Sequence, residues 1–283
     1  MRAISGNARL AGVMGWPVGH SLSPRLHGYW LEALGIDGAY VPLAVAPNNA
    51  ADAIAALSKL GFRGLNITVP HKETALGCVD TVDDLARRIG AMNTIVYDHE
   101  GRSHGTNTDG FGFIENIRQQ APGYDFTSGP AVVLGAGGAA RAVIVALMDA
   151  GAPEIRVTNR TLERAKALAA QVGHDGNVGV IPWEQRGDAL ADAALLVNTT
   201  TLGMTGQAAL DMDLQHLPGS ACVTDIVYAP LETRLLAEAR SRGNSVVDGI
   251  GMLLHQARPG FKAWFGADPD VSEALRAHVL AGL

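Results

Sequence analysis

The chain has 283 residues, which at roughly 150 residues per domain is enough for about two domains. Apolar residues make up 47% of it and charged residues 18%, which is typical of a globular protein and excludes a disordered chain. The net charge of −6 argues against nucleic acid as a partner, because nucleic-acid-binding surfaces are strongly basic. No apolar run is long enough for a membrane span, and the amino terminus lacks the apolar segment of a signal peptide, so we expect no membrane partner.

The cysteines and histidines predict free thiols and no metal. Cys78 and Cys222 are far apart in the sequence and form no Cys-x-x-Cys pair, which is typical of a reducing compartment. The nine histidines show no spacing typical of a zinc site. We therefore expect a cytoplasmic protein without a bound metal ion.

Short β-branched runs alternate with stretches rich in Ala and Leu, which predicts an α/β fold with mostly parallel strands. In the first third of the chain, strands are predicted at residues 10–14, 39–43 and 65–69. Helices at residues 24–34 and 49–60 separate these strands. A hairpin follows, and its predicted strands are residues 94–97 and 102–105.

The second block begins with a helix from Asp109 to about Gln119 and then alternates strand and helix. Its predicted strands, in chain order, are residues 131–134, 155–158, 178–181, 194–198, 222–226 and 245–247. Helices are predicted directly after the first of these strands and at residues 162–172 and 231–240. This alternation is typical of a doubly wound, Rossmann-like domain. Two helices at residues 252–257 and 272–281 form a tail, and the pattern does not decide which block it joins.

A glycine-rich loop follows the strand at residues 131–134 and fits the dinucleotide-binding pattern G-x-G-x-x-G/A. Gly135 allows a tight turn, Gly137 lets the backbone approach a pyrophosphate, and Ala140 lets the helix pack close to the strand. The N–H groups at the start of the helix favour an anion, although a glycine-rich turn without a ligand is the alternative. The cofactor contacts predicted here are Gly135, Ala136, Gly137, Gly138 and Ala139.

The end of the next strand favours NADP over NAD. NAD sites place Asp or Glu there for the ribose 2′-hydroxyl, whereas this strand ends in Asn159, Arg160 and Thr161, with Arg164 close behind. A guanidinium attracts a 2′-phosphate that a carboxylate would repel. We predict that these four residues contact NADP; the alternative for the two arginines is an ordinary solvated helix face.

A hydroxyl-rich segment follows the predicted strand at residues 194–198. Ligands of open α/β sheets lie beyond the carboxyl ends of the strands. We therefore predict Thr199 beside the nicotinamide or its ribose, and a hydroxyl-rich turn without a ligand is an equally good alternative.

Polar residues in the first block cluster where predicted strands or hairpins end. The clusters are Ser21 with Ser23, Asn66 with Thr68 and Lys72, Asn93, and residues 107–109. Each cluster alone is also explained as a cap, a strand edge or a turn, whereas together they suit a small molecule rich in hydroxyl groups. A carbonyl reduction needs a proton for the developing alkoxide and fixed donors for its oxygen, and a lysine ammonium supplies both. Lys72 and Asp109 are therefore candidate catalytic residues, and the residues alone leave open which of them transfers the proton.

The chain resembles the shikimate dehydrogenase family from about residue 15 to residue 266. The segments that carry the resemblance are S-L-S-P at 21–24, N-I-T-V-P-H-K at 66–72, N-T at 93–94, G-T-N-T-D-G at 105–110, the glycine loop, N-R-T at 159–161, D-I-V-Y-A-P-L-E-T at 225–233 and G-M-L-L-H-Q at 251–256.

The resemblance implies reversible, NADPH-dependent reduction of 3-dehydroshikimate to shikimate, a step of aromatic amino-acid biosynthesis. It implies a substrate-binding and catalytic domain of residues 1–108 and 249–283, and a Rossmann-like NADP-binding domain of residues 109–248. It assigns Lys72 and Asp109 as the catalytic pair. It assigns substrate contacts to Ser21, Ser23, Thr68, Asn93, Tyr228 and Gln256, and it adds Ile226 and Gly249 to the cofactor contacts.

Two alternatives stay open. A related enzyme that also oxidises quinate, often with NAD, is the nearer one, and Arg160 without an adjacent carboxylate argues against its NAD preference. A noncatalytic NADP-binding sensor on the same fold would have lost the proton-transfer residue, whereas Lys72 and Asp109 are both present. Both a monomer and a homodimer are compatible with the sequence.

Overall fold

The computed structural model describes residues 4–173 and 176–283 of the chain. The chain divides into two compact units, one of Met1–Thr108 with Leu253–Leu283 and the other of Asp109–Met252. The resemblance implies the same first boundary, and a second boundary after residue 248, slightly earlier than the one observed.

The first unit is built on a mixed six-stranded sheet of order β2-β1-β3-β5-β6-β4. Its elements in chain order are β1 (Arg9–Gly15), α1 (Ser23–Ala33), β2 (Gly38–Ala44), α2 (Ala50–Lys59), β3 (Phe62–Ile67), β4 (Thr81–Val82), α3 (Asp84–Ile89), β5 (Thr94–Tyr97) and β6 (Ser103–Thr106). Strand β1 pairs in parallel with β2 and β3, and the predicted hairpin of β5 and β6 continues the sheet in antiparallel direction from β3.

The burial of β1 explains its place inside this sheet. Its last five residues are all buried, as a parallel strand with both faces covered requires. Met14 joins the same core cluster as Ile54, Leu65 and Ile95. Because Met14 lies beside Ile67 of β3, the polar segments that follow these two strands start at the same edge of the sheet.

The second unit is built on a six-stranded sheet whose pairings are all parallel, of order β12-β11-β10-β7-β8-β9. Its elements in chain order are α4 (Asp109–Gln120), β7 (Ala131–Leu134), α5 (Gly138–Asp149), β8 (Ile155–Thr158), α6 (Leu162–Val172), β9 (Val178–Ile181), β10 (Leu195–Asn198), β11 (Cys222–Asp225), α7 (Arg234–Ser241) and β12 (Ser245–Val247). The strand order reverses between β7 and β10, and ligands of doubly wound sheets bind at this switch point.

The carboxyl-terminal tail consists of α8 (Ile250–Phe265) and α9 (Glu273–Leu280), and from Leu253 it belongs to the first unit. The rings of Phe261 and Trp264 pack against Trp30 and Tyr40. The indole Nε1 of Trp264 donates to the Ile95 carbonyl oxygen at 2.9 Å. Buried aromatic rings therefore decide the question that the tail's sequence pattern left open.

Four local predictions differ from the structure. Strand β3 spans Phe62–Ile67 rather than residues 65–69, because its pairing with β1 already begins at Phe62 and ends at Ile67. The short elements β4 and α3 were not predicted, because two and six residues show no clear periodicity. Helix α7 begins at Arg234 rather than at residue 231, since Thr233 caps it by accepting from the Leu236 N–H. Helix α8 continues past Pro259 to Phe265, because its last turns bury large aromatic side chains.

The predicted fold class, a two-domain α/β architecture with a Rossmann-like domain, is confirmed. None of the helices in the described part of the chain has the length and apolar character needed to cross a bilayer.

Candidate active site

The glycine loop lies at the switch point of the second unit. Gly135 has a φ of +112°, and a Cβ there would lie 2.7 Å from Thr199 Oγ1, so a side chain is excluded. Gly137 is the N-cap of α5 and makes no side-chain capping bond, and a Cβ on it would meet no atom within 4 Å. The space next to Gly137, at the start of α5, is therefore open, and a helix N-terminus bordering open space fits a pyrophosphate.

Thr199, directly after β10, is hydrogen-bonded to the end of β7, the strand that leads into the glycine loop. Its N–H and its Oγ1 both donate to the Leu134 carbonyl oxygen, at 2.9 Å and 2.7 Å. The side chain thereby fixes the distance between the ends of β7 and β10. The turn is bonded internally, as expected of a hydroxyl-rich turn without a ligand. It also borders the glycine loop, as expected of a cofactor contact.

The segment after β8 presents two cations. Asn159 Nδ2 donates to the Thr161 carbonyl oxygen at 2.8 Å and so orders the loop that carries Arg160. Arg160 and Arg164 are exposed, and neither forms an ion pair within residues 4–173 and 176–283. Two available guanidinium groups at this position fit the 2′-phosphate of NADP, as the sequence predicts.

The loop after β11 carries Ile226 and Tyr228. The Ile226 N–H donates to the Asn198 carbonyl oxygen at 3.1 Å. Gly249 packs directly on this loop, because a Cβ there would lie 2.5 Å from the Ile226 carbonyl oxygen. Tyr228 is half-buried, and this burial raises the pKa of its hydroxyl. These three predicted residues thus share one edge of the second sheet.

In the first unit, Ser21 and Ser23 lie at the start of α1. The Ser23 N–H donates to Ser21 Oγ at 3.3 Å, and Ser23 is 6% exposed. Thr68 follows β3 directly, and its N–H donates to the Met14 carbonyl oxygen at 2.9 Å. The two segments start from the neighbouring strands β1 and β3, and so the predicted serine and threonine contacts belong to the same edge of this sheet.

Lys72 lies in a turn that is anchored on both sides. The Met92 N–H donates to the Lys72 carbonyl oxygen at 2.9 Å. The preceding residue, His71, is 1% exposed, and its Nε2 lies 2.9 Å from the Val45 carbonyl oxygen. The carbonyl can only accept, so this contact requires the proton on Nε2. His71 therefore has a local structural role, because it fixes the backbone next to Lys72.

Asn93 is the centre of a buried amide and hydroxyl network. Its Oδ1 accepts from the Thr108 N–H at 2.8 Å, and its Nδ2 donates to Gln256 Oε1 at 3.2 Å. The Thr108 hydroxyl donates to the Gln256 carbonyl oxygen at 2.8 Å. The structure therefore brings together Asn93 and Gln256, two predicted substrate contacts that are 163 residues apart in the chain.

Asn66 is a further member of this network, and the sequence argument assigned it no contact with substrate or cofactor. Its Nδ2 donates to the Asn93 carbonyl oxygen at 3.1 Å, and its Oδ1 accepts from the Tyr40 hydroxyl at 2.6 Å. Its position in a strand, where an amide is unfavourable without a partner, was the available signal.

Asp109 is the first residue of α4 in the second unit and is 5% exposed. A carboxylate at a helix N-terminus is stabilised by the helix dipole. The described residues contain no group of three or more His, Cys, Asp or Glu side chains arranged to hold a metal ion.

The fold, the glycine loop of the second unit and the polar network of the first unit define a two-domain α/β dehydrogenase. Its second unit is shaped to bind a dinucleotide. Family models match along the chain: the shikimate dehydrogenase substrate binding domain at residues 13–95, shikimate / quinate 5-dehydrogenase at 117–205, and the shikimate 5′-dehydrogenase C-terminal domain at 249–277. The chain is 62% identical to the shikimate dehydrogenase (NADP(+)) of Paramagnetospirillum magneticum over 98% of this chain and 100% of that one. The chain belongs to the shikimate dehydrogenase family, as the sequence predicts.

Two solved structures are similar to the whole chain. Shikimate 5-dehydrogenase from Thermus thermophilus, in complex with NADP(H) and shikimate, is 39% identical with a TM-score of 0.86 and covers 97% of this chain and 100% of that chain. Quinate dehydrogenase from Corynebacterium glutamicum, in complex with NAD, is 32% identical with a TM-score of 0.89 and covers 97% of this chain and 99% of that chain.

Proposed function

We propose that this chain catalyses the reversible reduction of 3-dehydroshikimate to shikimate with NADPH. The observation that carries the proposal is its family membership along nearly the whole chain, together with relatives named as NADP-dependent shikimate dehydrogenases. The glycine loop at the switch point and the two available arginines after β8 support the choice of cofactor.

The two units bind different ligands. The first unit binds the substrate, because its network of amides and hydroxyls matches the several hydroxyl groups of shikimate. The second unit binds NADP through Gly135, Gly137 and the segment after β8. The functional boundaries are those implied by the sequence, residues 1–108 with 249–283 for substrate and 109–248 for cofactor.

The residues of this chain have three tasks in the reaction. NADPH supplies the hydride when it is bound. The Lys72 ammonium donates the proton to the ketone oxygen and stabilises the negative charge that develops there. In the reverse direction the neutral Lys72 amine accepts the proton from the hydroxyl group. Asp109 of the second unit is the other residue of the proposed catalytic pair. General acid catalysis of this kind contributes about 10²- to 10⁴-fold to the rate.

The substrate contacts keep their sequence assignments. Ser21 and Ser23 bind the shikimate carboxylate, and the hydroxyl groups are bound by Thr68, Asn93 and Gln256. Tyr228 of the second unit is a further proposed substrate contact. Hydroxyl donors explain how a chain of net charge −6 binds an anionic substrate without a cluster of arginines. A cytoplasmic location is part of the proposal, and both a monomer and a homodimer are compatible with it.

A matrix of two cofactors and two substrates tests the proposed function. Shikimate and quinate are oxidised with NADP or NAD, and we expect the highest kcat/KM for shikimate with NADP. Equal or better turnover of quinate with NAD would replace the proposal by its nearer alternative, which the likeness to a quinate dehydrogenase in complex with NAD favours. No turnover with any pair, but tight NADPH binding, would support the noncatalytic sensor.

A further inference from the structure

A buried carboxylate at the end of β11 has no role in the function proposed above. Asp225 is 0% exposed. Its Oδ1 accepts from Asn198 Nδ2 at 2.9 Å and from the Val227 N–H at 3.0 Å, and its Oδ2 accepts from the Thr233 hydroxyl at 2.8 Å. It forms no ion pair with a cation in the described part of the chain. Three hydrogen bonds therefore take the place of a counter-ion.

The first of these bonds orders the turn after β10. Asn198 uses its Nδ2 for Asp225, which leaves its Oδ1 to accept from the Thr200 N–H at 3.0 Å and from the Thr200 hydroxyl at 2.7 Å. This turn carries Thr199, which binds the end of the glycine loop's strand. The Asp225 carboxylate thus fixes the amide that shapes the turn beside the glycine loop.

The other two bonds hold both ends of the loop after β11. Val227 lies at its start and Thr233 at its end, where the Thr233 hydroxyl also accepts from the Leu236 N–H and caps α7. Tyr228 lies between these two anchors. The Ala229 carbonyl oxygen accepts from the Thr205 N–H at 2.7 Å, so this loop and the segment after β10 are also bonded to each other.

The chemistry of a carboxylate suits this position better than that of an amide. A carboxylate only accepts hydrogen bonds, and here three donors converge on it. An asparagine would keep the two bonds at Oδ1 only by turning its Nδ2 toward the Thr233 hydroxyl, which would then have to accept instead of donate and would lose its bond to a charged oxygen. Burial also raises the pKa of Asp225 to about 6, so the folded chain keeps this carboxylate against an unfavourable desolvation.

We propose that Asp225 is a positioning residue that holds the Thr199 turn and the Tyr228 loop in one arrangement, so that a single side chain sets cofactor and substrate contacts of the second unit. The inference rests on the proposed function, for which the sequence predicts Thr199 and Ile226 as cofactor contacts and Tyr228 as a substrate contact.

The test compares Asp225→Asn and Asp225→Ala with Asn244→Ala. Asn244 is 5% exposed in the same unit, and its Nδ2 donates to the carbonyl oxygens of Pro218 and Ala221, away from the site residues. Asn244→Ala therefore controls for a general loss of stability. We expect the Kd for NADPH, measured by fluorescence titration, to rise about tenfold or more in both Asp225 variants and less than about twofold in the control.

Amide hydrogen exchange of the unliganded protein gives a readout that needs neither substrate nor turnover. Exchange should accelerate in residues 199–205 and 226–233 of Asp225→Asn and stay unchanged in the strand at residues 131–134. A Kd and exchange rates equal to those of wild type would overturn the proposal. Equal effects in Asn244→Ala would overturn it too, because the effect would then follow stability alone.

Steady-state kinetics separates positioning from chemistry. We expect the KM values for NADP and shikimate to rise in Asp225→Asn by a larger factor than kcat falls. A fall in kcat with both KM values unchanged would contradict a positioning role. If the wild-type chain does not oxidise shikimate, the proposed function fails, whereas NADPH binding and hydrogen exchange still decide the role of Asp225.

Discussion

The backbone around Lys72 is fixed independently of its side chain, through the Met92 N–H on one side and the buried His71 ring on the other. Truncating Lys72 should therefore remove its ammonium and leave the turn in place. We expect Lys72→Ala to lower kcat for shikimate oxidation by about 10²- to 10⁴-fold, because the proton transfer loses its catalyst. Stopped-flow and steady-state assays at saturating substrate measure this loss.

Lys59→Ala is the matched control for that variant. Lys59 is an exposed lysine in the last turn of α2, in the same unit. Its removal should leave kcat and the thermal midpoint unchanged. Near-normal turnover of Lys72→Ala would exclude Lys72 from proton transfer.

Arg160 is the residue that we expect to select the cofactor. Arg160→Ala should raise the KM for NADPH by about tenfold or more and the KM for NADH by much less, because only NADPH carries the 2′-phosphate that the guanidinium binds. The control is Lys166→Ala on the adjacent helix α6, where Lys166 forms an ion pair with Glu163 at 2.9 Å. Equal changes for both cofactors would reject the assignment of Arg160.

At the scale of single residues, the sequence predicts those candidate sites whose chemistry is local. Gly135 and Gly137 were recognisable because a strand, a glycine loop and a helix follow one another directly. No role could be predicted for Asn66 or Asp225 from the sequence alone. Asn66 bonds to Asn93 and Asp225 bonds to Asn198, and in each pair the partners are 27 residues apart. Contacts of that kind depend on strand pairing, which no local pattern specifies.

At the scale of elements, Gly64 of β3 is a position where an added side chain would disrupt the packing of α8 against the first sheet. A Cβ there would lie 2.0 Å from both the Ile95 carbonyl oxygen and Trp264 Nε1. We expect Gly64→Ala to lower the free energy of unfolding by about 3 kcal/mol, since a packed core resists added volume. Urea denaturation followed by tryptophan fluorescence measures this change.

Gly28→Ala is the opposite case and serves as the control. Gly28 lies in α1, and a Cβ on it would meet no atom within 4 Å. Since alanine favours a helix more than glycine does, this variant should be more stable by up to about 1 kcal/mol. Equal stability of Gly64→Ala and wild type would mean that α8 shifts to make room.

The packing of α8 against the first sheet shows why some elements could be predicted and others could not. The strands of the second sheet are short apolar runs between turn residues, and all six were predicted to within one residue at each end. The end of α8 was predicted too early, because Pro259 is a local signal whereas the burial of Phe261 and Trp264 is a tertiary one. Packing against distant strands overrides a local preference in such cases.

At the scale of the whole molecule, the acid stability of the chain depends on a histidine in the aromatic cluster of the first unit. His27 is 0% exposed and stacks on Tyr40 with ring centres 3.8 Å apart. Neither of its ring nitrogens has a well-formed hydrogen bond within residues 4–173 and 176–283. Burial lowers the pKa of His27 from 6.5 to about 3, because the charged form has no water around it, and the Asn66 side chain offsets this only in part.

This shift makes the free energy of unfolding depend on pH in one direction. Between pH 6.5 and 3 the unfolded chain binds a proton at His27 and the folded chain does not, so stability falls as the pH falls through that window. From about pH 6.5 to about pH 4.5 this one group should cost about 2 kcal/mol. In His27→Phe that contribution disappears, and the curve of unfolding free energy against pH should be flatter by this amount. Urea denaturation at several pH values measures it, with His99→Phe, an exposed histidine of the same unit, as the control. Parallel curves for wild type and His27→Phe would show that the folded chain accepts the proton by opening the cluster.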